Sequence, residues 1–332
     1  MSMSKYQRRM QLRNPQNLDR LHALLGMLST TRPMGSDSEQ RFRAEYLHDL
    51  PGMVSDPFGN LHTVIARSDG STAHTLWSSH TDTVHRTDAG GQLVTVDGRY
   101  FRLDKDETTS SCLGADDGVG VWIMREMILA GVPGHYVFHW GEERGGIGSG
   151  DVTQYEPERF EAIQCAIAFD RHGTRDVITR QAGEQCASNT FAQSLARQLS
   201  PVARYRPSAH GVYTDTAEYA GIVPECTNIS VGYEYEHTAR ERVDYWHALT
   251  LLVTLCETFD ERRLVIARDL AQVRRERERE SKRLFDWMKI RRALDHDERE
   301  QRDSWGTDDR LIDGEILTDD WRRAALWPDW KG

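Results

Sequence analysis

Short apolar segments alternate with segments of helical spacing along residues 1–260. Five apolar segments are rich in β-branched and aromatic residues and are bounded by turn residues, which predicts strands at 61–67, 74–80, 135–140, 162–170 and 227–234. Apolar residues at helical spacing predict helices at 15–28, around 42–47, and at 118–131, 188–200 and 241–260. This alternation predicts an α/β domain in which a mixed β-sheet is sandwiched by α-helices.

The composition changes after residue 260 of the 332-residue chain. Residues 261–332 are crowded with charge and have a helix-forming composition with broken apolar periodicity. The sequence therefore predicts a globular domain at 1–260 and a charged helical C-terminal extension at 261–332. The extension could pack back onto the domain, bind a partner or join an oligomer. We expect it to serve self-association into a homo-oligomer.

The net charge of the chain is −10. Nucleic-acid binding needs a basic surface that neutralises phosphates, so we expect no nucleic-acid partner. The arginine-rich run VRRERERESKRL does not change this expectation, because its glutamates balance the arginines. No window approaches the ~18 apolar residues that a membrane-spanning helix needs. The basic N-terminus also lacks the apolar core of a signal peptide, so we expect no membrane partner.

The five cysteines are scattered and include no CxxC pair. An odd number of cysteines without paired spacing indicates neither a disulfide framework nor a thiolate zinc site. Free thiols are typical of a reducing compartment. We therefore expect a cytoplasmic protein.

Acidic residues and histidines follow the predicted strands or precede a predicted helix. They are His80 and Asp82 in SSHTDTVHR, Asp116 and Asp117 in CLGADDGVG, Glu142 and Glu143 in HWGEERGG, Asp170 in AIAFDRHG, and His237 in SVGYEYEHTAR. Sites in open α/β sheets lie outside the carboxyl ends of the strands. These side chains are therefore expected to converge on one crevice.

Histidine and carboxylate donors without a thiolate suit zinc or a similar divalent ion, such as manganese or cobalt. His80 and Asp82 are two residues apart, so on an extended chain they point to the same side. The carboxylate can then hold one imidazole nitrogen while the other nitrogen faces a metal. The adjacent Glu142 and Glu143 would repel each other unless cations compensate. Two cations would explain why so many carboxylates lie close together.

Each of these motifs has a simpler explanation when it is taken alone. An HxD motif often occurs by chance, and adjacent glutamates commonly lie on a solvated helix face. Paired aspartates before a helix commonly cap it, and an aspartate at a strand end commonly belongs to a turn. The five motifs in one order, each at a strand end or a helix start, favour a metal site over these separate explanations.

The ordered set SHTDTV, LGADDGVG, HWGEERGG, AIAFD and YEHTARERVD resembles the co-catalytic dizinc exopeptidases. That clan includes the M20 di- and tripeptidase/carboxypeptidase group and the M28 aminopeptidases, and the resemblance spans about residues 15–260. It implies a three-layer α/β/α fold and two divalent metal ions, zinc before manganese or cobalt. It also implies hydrolysis of a peptide or other small amide bond.

The resemblance implies metal-binding roles for five residues. His80 and Asp170 resemble the ligands of one metal. Glu143 and His237 resemble the ligands of the other metal. Asp116 resembles the bridging aspartate that both metals share.

The same resemblance implies roles beside the metals. Glu142 resembles the general base, and Asp82 resembles the carboxylate that orients the first histidine ligand. Glu241 matches a recurrent position that supports the site. The stretch GVYTDTAEYAG resembles the segment before the last ligand in M28-type enzymes, so Tyr213 and Asp215 are candidate substrate-binding residues, although a role in a turn is equally open.

The chain departs from the M20 pattern between Asp170 and His237. M20 enzymes usually insert a lid or dimerisation domain there, whereas residues 171–236 already contain a predicted helix, loops and a strand. That leaves no room for a further domain of ordinary size. We therefore expect a lidless member with an open cleft that acts on small or terminal substrates.

The expected activity is that of a metal-dependent aminopeptidase or di- or tripeptidase. Two alternatives stay open. One is deacylation of an N-acyl amino acid or another small amide, which uses the same chemistry. The other is a catalytically idle chain kept as a binding or assembly module. The missing lid and the extra C-terminal region favour that module, and the complete set of ligand positions argues against it.

Overall fold

The structure is a computed structural model that describes residues 14–104, 106–275, 278–279, 282–283 and 287–289. The chain divides into two compact units between Arg275 and Glu276, and the fold and site below belong to the first. Its main helices are α1 (Pro15–Leu28), α2 (Asp37–Tyr46), α3 (Ala115–Leu129), α4 (Ile147–Tyr155), α5 (Asn189–Gln198) and α6 (Tyr245–Glu257). Short 3₁₀ helices occupy Glu142–Arg144, Pro157–Phe160, Asp215–Gly221 and Glu261–Arg263.

The strands lie close to the predicted segments. They are β1 (Val54–Ser55), β2 (Leu61–Ile65), β3 (Thr75–His80), β4 (Val94–Asp97), β5 (Tyr100–Leu103), β6 (Gly134–His139), β7 (Cys165–Arg171), β8 (Asp176–Ile178), β9 (Arg180–Gln181), β10 (Glu184–Gln185), β11 (Arg206–Ser208), β12 (Glu225–Ser230), β13 (Tyr233–Glu234) and β14 (Arg242–Asp244). All five predicted strands are present, and the segment 227–234 divides into β12 and β13.

One eight-stranded sheet forms the centre of the unit, in the order β1-β2-β6-β3-β7-β12-β8-β11. Strands β6, β3, β7 and β12 run parallel. Strand β2 joins β6 antiparallel, and β8 meets β12 antiparallel. The predicted mixed sheet is therefore confirmed. A four-stranded sheet of order β13-β14-β5-β4 lies beside it, and β9 pairs with β10.

Both faces of the central sheet are buried. Helix α3 packs against β3 and β7, and α1 and α6 pack against α3. Trp77 and Phe169 project into the apolar cluster on this face. Leu76 and Ala166, which alternate with them, join Val152 of α4 in a second cluster. Side chains that alternate along a strand point to opposite faces, so the sheet lies between two helical layers as predicted.

Local sequence explains where the helices begin. Asn14 caps α1 by accepting a hydrogen bond from the backbone N–H of Gln16 at 3.0 Å, and Pro15 occupies the first helical turn. Ser36 caps α2 by accepting from the N–H of Glu39 at 3.1 Å. Asp244 caps α6 by accepting from the N–H of His247 at 3.1 Å.

Residues 264–269 follow the domain without regular secondary structure, although the composition after residue 260 indicated a helix. The backbone N–H groups of Ala267 and Arg268 donate to Oε1 of Glu225 at 2.8 and 3.0 Å. The Arg268 guanidinium donates to the carbonyls of Ala220 and Pro224, each at 3.0 Å. These bonds hold the segment extended along the domain, and helix begins only at Leu270.

Most of the predicted C-terminal extension lies outside the described residues. The described pieces at 278–279, 282–283 and 287–289 are helical. Across the described part of the chain, every helix is too short or too polar to cross a membrane.

Candidate metal centre

Three parallel strands bring the predicted site residues to one edge of the sheet. Strand β3 ends at His80, β7 carries Asp170 near its carboxyl end, and β6 ends just before the turn that holds Glu142 and Glu143. Asp116 lies at the start of α3, which packs against β3 and β7. The carboxyl ends of parallel strands meet at the same edge, so segments distant in sequence contribute to one site.

The first donor group consists of His80, Asp116 and Asp170, whose ligand atoms lie within 4.8 Å of one another. The imidazole Nε2 of His80 lies 3.2 Å from Oδ1 of Asp116 and 3.8 Å from Oδ1 of Asp170. The side chain of His80 is 1% exposed. This group therefore lies deep in the crevice.

The second donor group consists of Asp116, Glu143 and His237. The imidazole Nε2 of His237 lies 3.1 Å from Oδ2 of Asp116 and 3.2 Å from Oε1 of Glu143. The two groups share Asp116, which directs one carboxylate oxygen to each. The side chain of His237 is 50% exposed, so this group lies at the mouth of the crevice.

The donor set fits two divalent cations. Imidazole nitrogens and carboxylate oxygens are ordinary ligands for zinc and related ions. Oε1 of Glu143 is buried, and Nε2 of His237 lies 3.2 Å from it. A buried oxygen of this kind is costly unless a cation or a donor satisfies it.

The electrostatics of the site also indicate a deficit of positive charge. Burial raises the pKa of Asp170 to about 6, and the neighbouring carboxylate of Asp116 adds to the shift. Burial likewise raises the pKa of Glu143. Burial opposes the ionised form of Asp116, but hydrogen bonds from His237 and His80 bring its pKa below the usual range. Cations in the two groups would stabilise all three carboxylates in their charged form.

The histidines respond to the same carboxylates. Burial alone would lower the pKa of His80, but its contacts with Asp116, Asp170 and Asp82 raise it well above the ordinary value. Contacts with Asp116 and then Glu143 raise the pKa of His237 to about 11. In the absence of metal, protons on the two imidazoles therefore take the place of cations.

Asp82 holds the turn that carries the two glutamates. Its Oδ1 accepts hydrogen bonds from the N–H groups of Gly141 and Glu142 at 3.1 and 3.2 Å, and its Oδ2 accepts from Glu143 at 3.2 Å. Oδ1 also lies 3.5 Å from Nδ1 of His80. Asp82 therefore fixes the backbone on which both glutamates stand, and its own backbone carbonyl oxygen lies 3.0 Å from Nδ1 of His80.

Glu142 faces the first donor group. Its Oε2 lies 3.9 Å from Nε2 of His80, and its side chain is 12% exposed. Burial raises its pKa well above the ordinary range; His80 opposes this shift, and Asp170 and Asp215 reinforce it. Glu142 is thus close to the donor atoms without belonging to either group of three ligands.

Glu241 supports the segment that leads into α3. Its carboxylate accepts three backbone hydrogen bonds, from Leu113 at 2.8 Å and from Gly114 and Asp116 at 2.9 Å. Burial and the nearby Asp116 raise its pKa to about 8. The peptide bond between Asp116 and Asp117 in this segment is cis. Glu241 therefore holds the backbone of the aspartate that the two donor groups share.

Asp117 faces away from the donor groups and is fully buried. Its Oδ2 accepts from the backbone N–H of His80 at 3.2 Å, and its Oδ1 accepts from Gly120 at 3.0 Å. A Cβ atom at Gly120 would lie 2.3 Å from Oδ1 of Asp117, so only glycine permits this contact. The second aspartate of the pair therefore joins the end of β3 to the start of α3.

Tyr213 and Asp215 lie next to the glutamate turn, the turn that holds Glu142 and Glu143, but in different surroundings. The hydroxyl of Tyr213 donates to Glu218 at 2.9 Å. A Cβ atom at Gly146 would lie 1.8 Å from that hydroxyl, so Tyr213 packs directly on the turn. Asp215 is fully buried, and burial raises its pKa to about 8. Asp215 therefore faces the interior beneath Glu142, whereas Tyr213 is only half-buried.

Arg32 is fully buried beneath the site, and no sequence pattern pointed to it. Its guanidinium donates to the carbonyls of Met27, Thr81 and Gly114 at 2.9, 3.1 and 2.9 Å. It therefore ties the end of α1 to the segments after β3 and before α3. A single arginine in the loop TTRPMG carries no local signal for such long-range contacts.

Comparisons with known proteins show the fold. No protein-family model and no curated protein matches the sequence. Among solved structures, an aminopeptidase PepT from Bacillus cereus is similar over 71% of this chain and 96% of its own, with 14% identity and a TM-score of 0.59. A tripeptidase from Staphylococcus aureus is similar over 71% and 95%, with 16% identity and a TM-score of 0.53.

An aminopeptidase from Desulfurococcus kamchatkensis is similar over 72% of this chain and 93% of its own, with 15% identity and a TM-score of 0.56. The TET1 peptidase of Pyrococcus horikoshii, which can assemble into a tetrahedron or a large octahedral shell, is similar over 73% and 99%, with 13% identity and a TM-score of 0.51. The α/β architecture of this chain is thus the fold found in several aminopeptidases.

Proposed function

We propose that this chain is a metal-dependent hydrolase that cleaves a peptide bond in small substrates or at a chain terminus, as an aminopeptidase or a di- or tripeptidase. One observation carries the proposal: two groups of three donors share Asp116, and a glutamate outside both groups lies beside them. The similarity of the fold to aminopeptidases and a tripeptidase supports this reaction class.

In the proposed centre, His80 and Asp170 hold one divalent ion, Glu143 and His237 hold the other, and Asp116 binds both. Zinc is the ion we favour, and manganese and cobalt have compatible ligand preferences. When bound, the two ions supply Lewis acidity to the attacking water and to the scissile carbonyl.

Glu142 is the proposed general base. It takes a proton from the attacking water and delivers that proton to the leaving amine, so the carboxylate is regenerated in each turnover. Its position 3.9 Å from Nε2 of His80, outside both ligand groups, supports this role. Asp82 acts by position, because its carboxylate holds the backbone of Glu142 and Glu143 and contacts His80.

Tyr213 is the proposed substrate-binding residue at the edge of the crevice, where its half-buried ring packs on the glutamate turn. Asp215 is proposed to shape the substrate pocket from below, because it is buried and acts on the charge of Glu142. A direct hydrogen bond from substrate to Asp215 would require it to become accessible.

We further propose that residues 1–260 form the catalytic domain and that 261–332 serve as a helical extension for self-association in the cytoplasm. The assembly of the TET1 peptidase into large shells supports the idea that this fold tolerates self-association. Sedimentation of the full chain and of a chain ending at residue 275 tests the proposal. Loss of the oligomer in the shorter chain is the expected result, and an unchanged state would contradict it.

The Glu142→Gln variant tests the proposed reaction. The variant keeps the ligands, so we expect wild-type metal content and a loss of peptidase activity of roughly 10²–10⁴-fold. Metal content is measured on the purified, zinc-loaded protein, and activity is measured with a panel of dipeptides and aminoacyl amides. Glu158→Gln, an exposed glutamate remote from the centre, is the matched control.

Unchanged hydrolysis by Glu142→Gln would contradict the role of this glutamate. A wild-type protein that binds no zinc, manganese or cobalt would contradict the metal centre itself. Hydrolysis of N-acyl amino acids in place of peptides would redirect the proposal to an amide deacylase.

A further inference from the structure

We propose that a cleft beside His237 binds the free carboxylate of the substrate's leaving half through Arg86. This inference rests on the proposed function and narrows its substrate class to dipeptides and tripeptides with an unmodified C-terminus. The cleft has a volume of about 560 Å³ and is lined by three segments, 85–87, 109–111 and 237–239. His237 therefore belongs both to the second donor group and to the wall of this cleft.

The chemistry of the lining differs from that of the metal centre. Arg86 contributes a guanidinium, and five further residues contribute hydroxyl groups: Thr87, Thr109, Ser110, Ser111 and Thr238. No carboxylate lines the cleft among the described residues. A cation surrounded by hydroxyl groups is suited to an anion, and the planar guanidinium matches a carboxylate in bidentate geometry.

Arg86 is free to bind a ligand. Its side chain is exposed and has no hydrogen-bond or ion-pair partner in the part of the chain that the structure describes. Arg86 is the arginine that lines this cleft among the described residues, and it can accept an incoming anion without breaking an existing ion pair.

The backbone around Arg86 is held in place. Its N–H donates to Oγ of Ser111 at 3.2 Å, which joins two walls of the cleft. The preceding His85 is buried, with Nδ1 at 2.5 Å from the Thr83 hydroxyl and Nε2 at 3.2 Å from Oε1 of Gln92. A guanidinium on a fixed backbone loses less conformational freedom on binding than one on a mobile loop.

The size and position of the cleft set the length of the leaving half. Its volume lies in the range of small-molecule sites, roughly 300–1,000 Å³. A chain spans at most about 3.6 Å per residue, so a leaving half of one or two residues extends at most about 7 Å from the scissile bond into the cleft beside His237. In the hydrolysis, water adds its hydroxyl group to the acyl carbon and a proton to the amine. The amino acid or dipeptide that leaves carries the carboxylate held by Arg86.

Paired substrates test this inference. Dipeptides with a free carboxylate are compared with the same dipeptides amidated at the C-terminus, using zinc-loaded wild type, Arg86→Ala, Arg86→Lys and Arg240→Ala. A hydrogen bond to a charged group contributes roughly 1.5–3 kcal/mol, so Arg86→Ala should raise KM for the free acid by about 10–100-fold and leave kcat nearly unchanged. The amidated substrate should have the same KM in both proteins.

The control variants separate charge from structure. Arg86→Lys should recover part of the loss, because lysine keeps the charge without the bidentate geometry. Arg240 is an exposed arginine in the same region whose guanidinium lies 5.4 Å from the ring of Tyr235, and Arg240→Ala should behave as wild type. Equal use of acid and amide by the wild type, or an equal effect of Arg86→Ala on both, would overturn the inference.

A binding measurement keeps this test separate from the test of the reaction. Calorimetry with zinc-loaded Glu142→Gln protein compares the affinity for the intact acid and amide forms of one dipeptide. Preference for the acid that disappears in Glu142→Gln/Arg86→Ala supports the carboxylate site, and equal affinity overturns it. Absence of hydrolysis of both forms by the wild type would overturn the proposed function and leave the binding comparison as the test of Arg86.

Discussion

His80 and His237 occupy corresponding places in the two donor groups, yet their surroundings differ. The His80 side chain is 1% exposed at the end of strand β3, and its backbone N–H donates to the buried Asp117. The His237 side chain is 50% exposed, and its backbone has a left-handed conformation with φ of 61°. The fold thus builds one group into its interior and places the other on a loop at the entrance.

This difference predicts different costs when either histidine is removed. In the metal-free protein, His80→Ala should lower the free energy of unfolding by roughly 2–4 kcal/mol, because it leaves a cavity and unpaired buried carboxylates. His237→Ala should cost less than His80→Ala, since solvent can replace the half-exposed ring, although the change also removes a partner of Asp116 and Glu143. Urea denaturation measures both values. Equal losses would contradict the division into a deep and a superficial group.

Substitution of Glu241 should affect metal binding in both donor groups, because Glu241 holds the backbone of Asp116, which the groups share. Glu241→Gln replaces one of the two carboxylate oxygens that accept three backbone hydrogen bonds around the shared aspartate with an NH2 group, which cannot accept them. A change in such a supporting residue typically weakens metal affinity by about 10–100-fold. Competition with a chelator should show this loss for both ions in Glu241→Gln and not in the control Glu234→Gln. A loss confined to one ion would show that Asp116 is not shared.

The buried His247, outside the centre, shows what burial does when it outweighs the effect of a single nearby carboxylate, Asp244. Burial lowers the pKa of His247 to about 4, whereas contacts with carboxylates raise that of His80. The folded protein therefore binds fewer protons at His247 than the unfolded chain does between about pH 6.5 and pH 4, so stability is lost as the pH falls through this range. The loss should be roughly 1 kcal/mol between about pH 7 and pH 5.5.

Urea denaturation of wild type and His247→Gln at both pH values isolates this contribution. Relative to His247→Gln, the wild type should lose roughly 1 kcal/mol of unfolding free energy when the pH is lowered from about 7 to about 5.5. His48→Gln, at an exposed position, should show no such shift. A wild type that gains stability relative to His247→Gln on acidification would contradict the prediction.

The parts of the molecule that follow local rules were predictable from sequence. Short apolar segments bounded by turn residues located β3, β6 and β7. Parallel strands place their carboxyl ends together, which is why His80 and Asp170 could be expected in one site. The resemblance to the dizinc exopeptidases also implied that Asp116 would lie between two ligand groups. The roles of these residues remain proposals, but their spatial convergence agrees with the sequence analysis.

The contacts that could not be predicted from the sequence join segments that lie far apart in the chain. Arg32 reaches Gly114, and Glu225 holds the amides of Ala267 and Arg268, with no periodicity or motif to mark either interaction. The extended conformation of segment 264–269 was not predicted, because hydrogen bonds to the domain outweigh its helix-forming composition. Tertiary contacts of this kind override local propensity.

Asp116 is proposed to join two metal ions, one deep and one superficial. Anomalous diffraction at the zinc edge, from crystals of zinc-loaded protein, would locate both ions. We predict two peaks on opposite sides of the Asp116 carboxylate, one beside His80 and Asp170 and one beside Glu143 and His237, with the second peak lost first on brief exposure to a chelator. No peak at Asp116, or a single peak that contacts only one of the histidines at full zinc loading, would contradict the account.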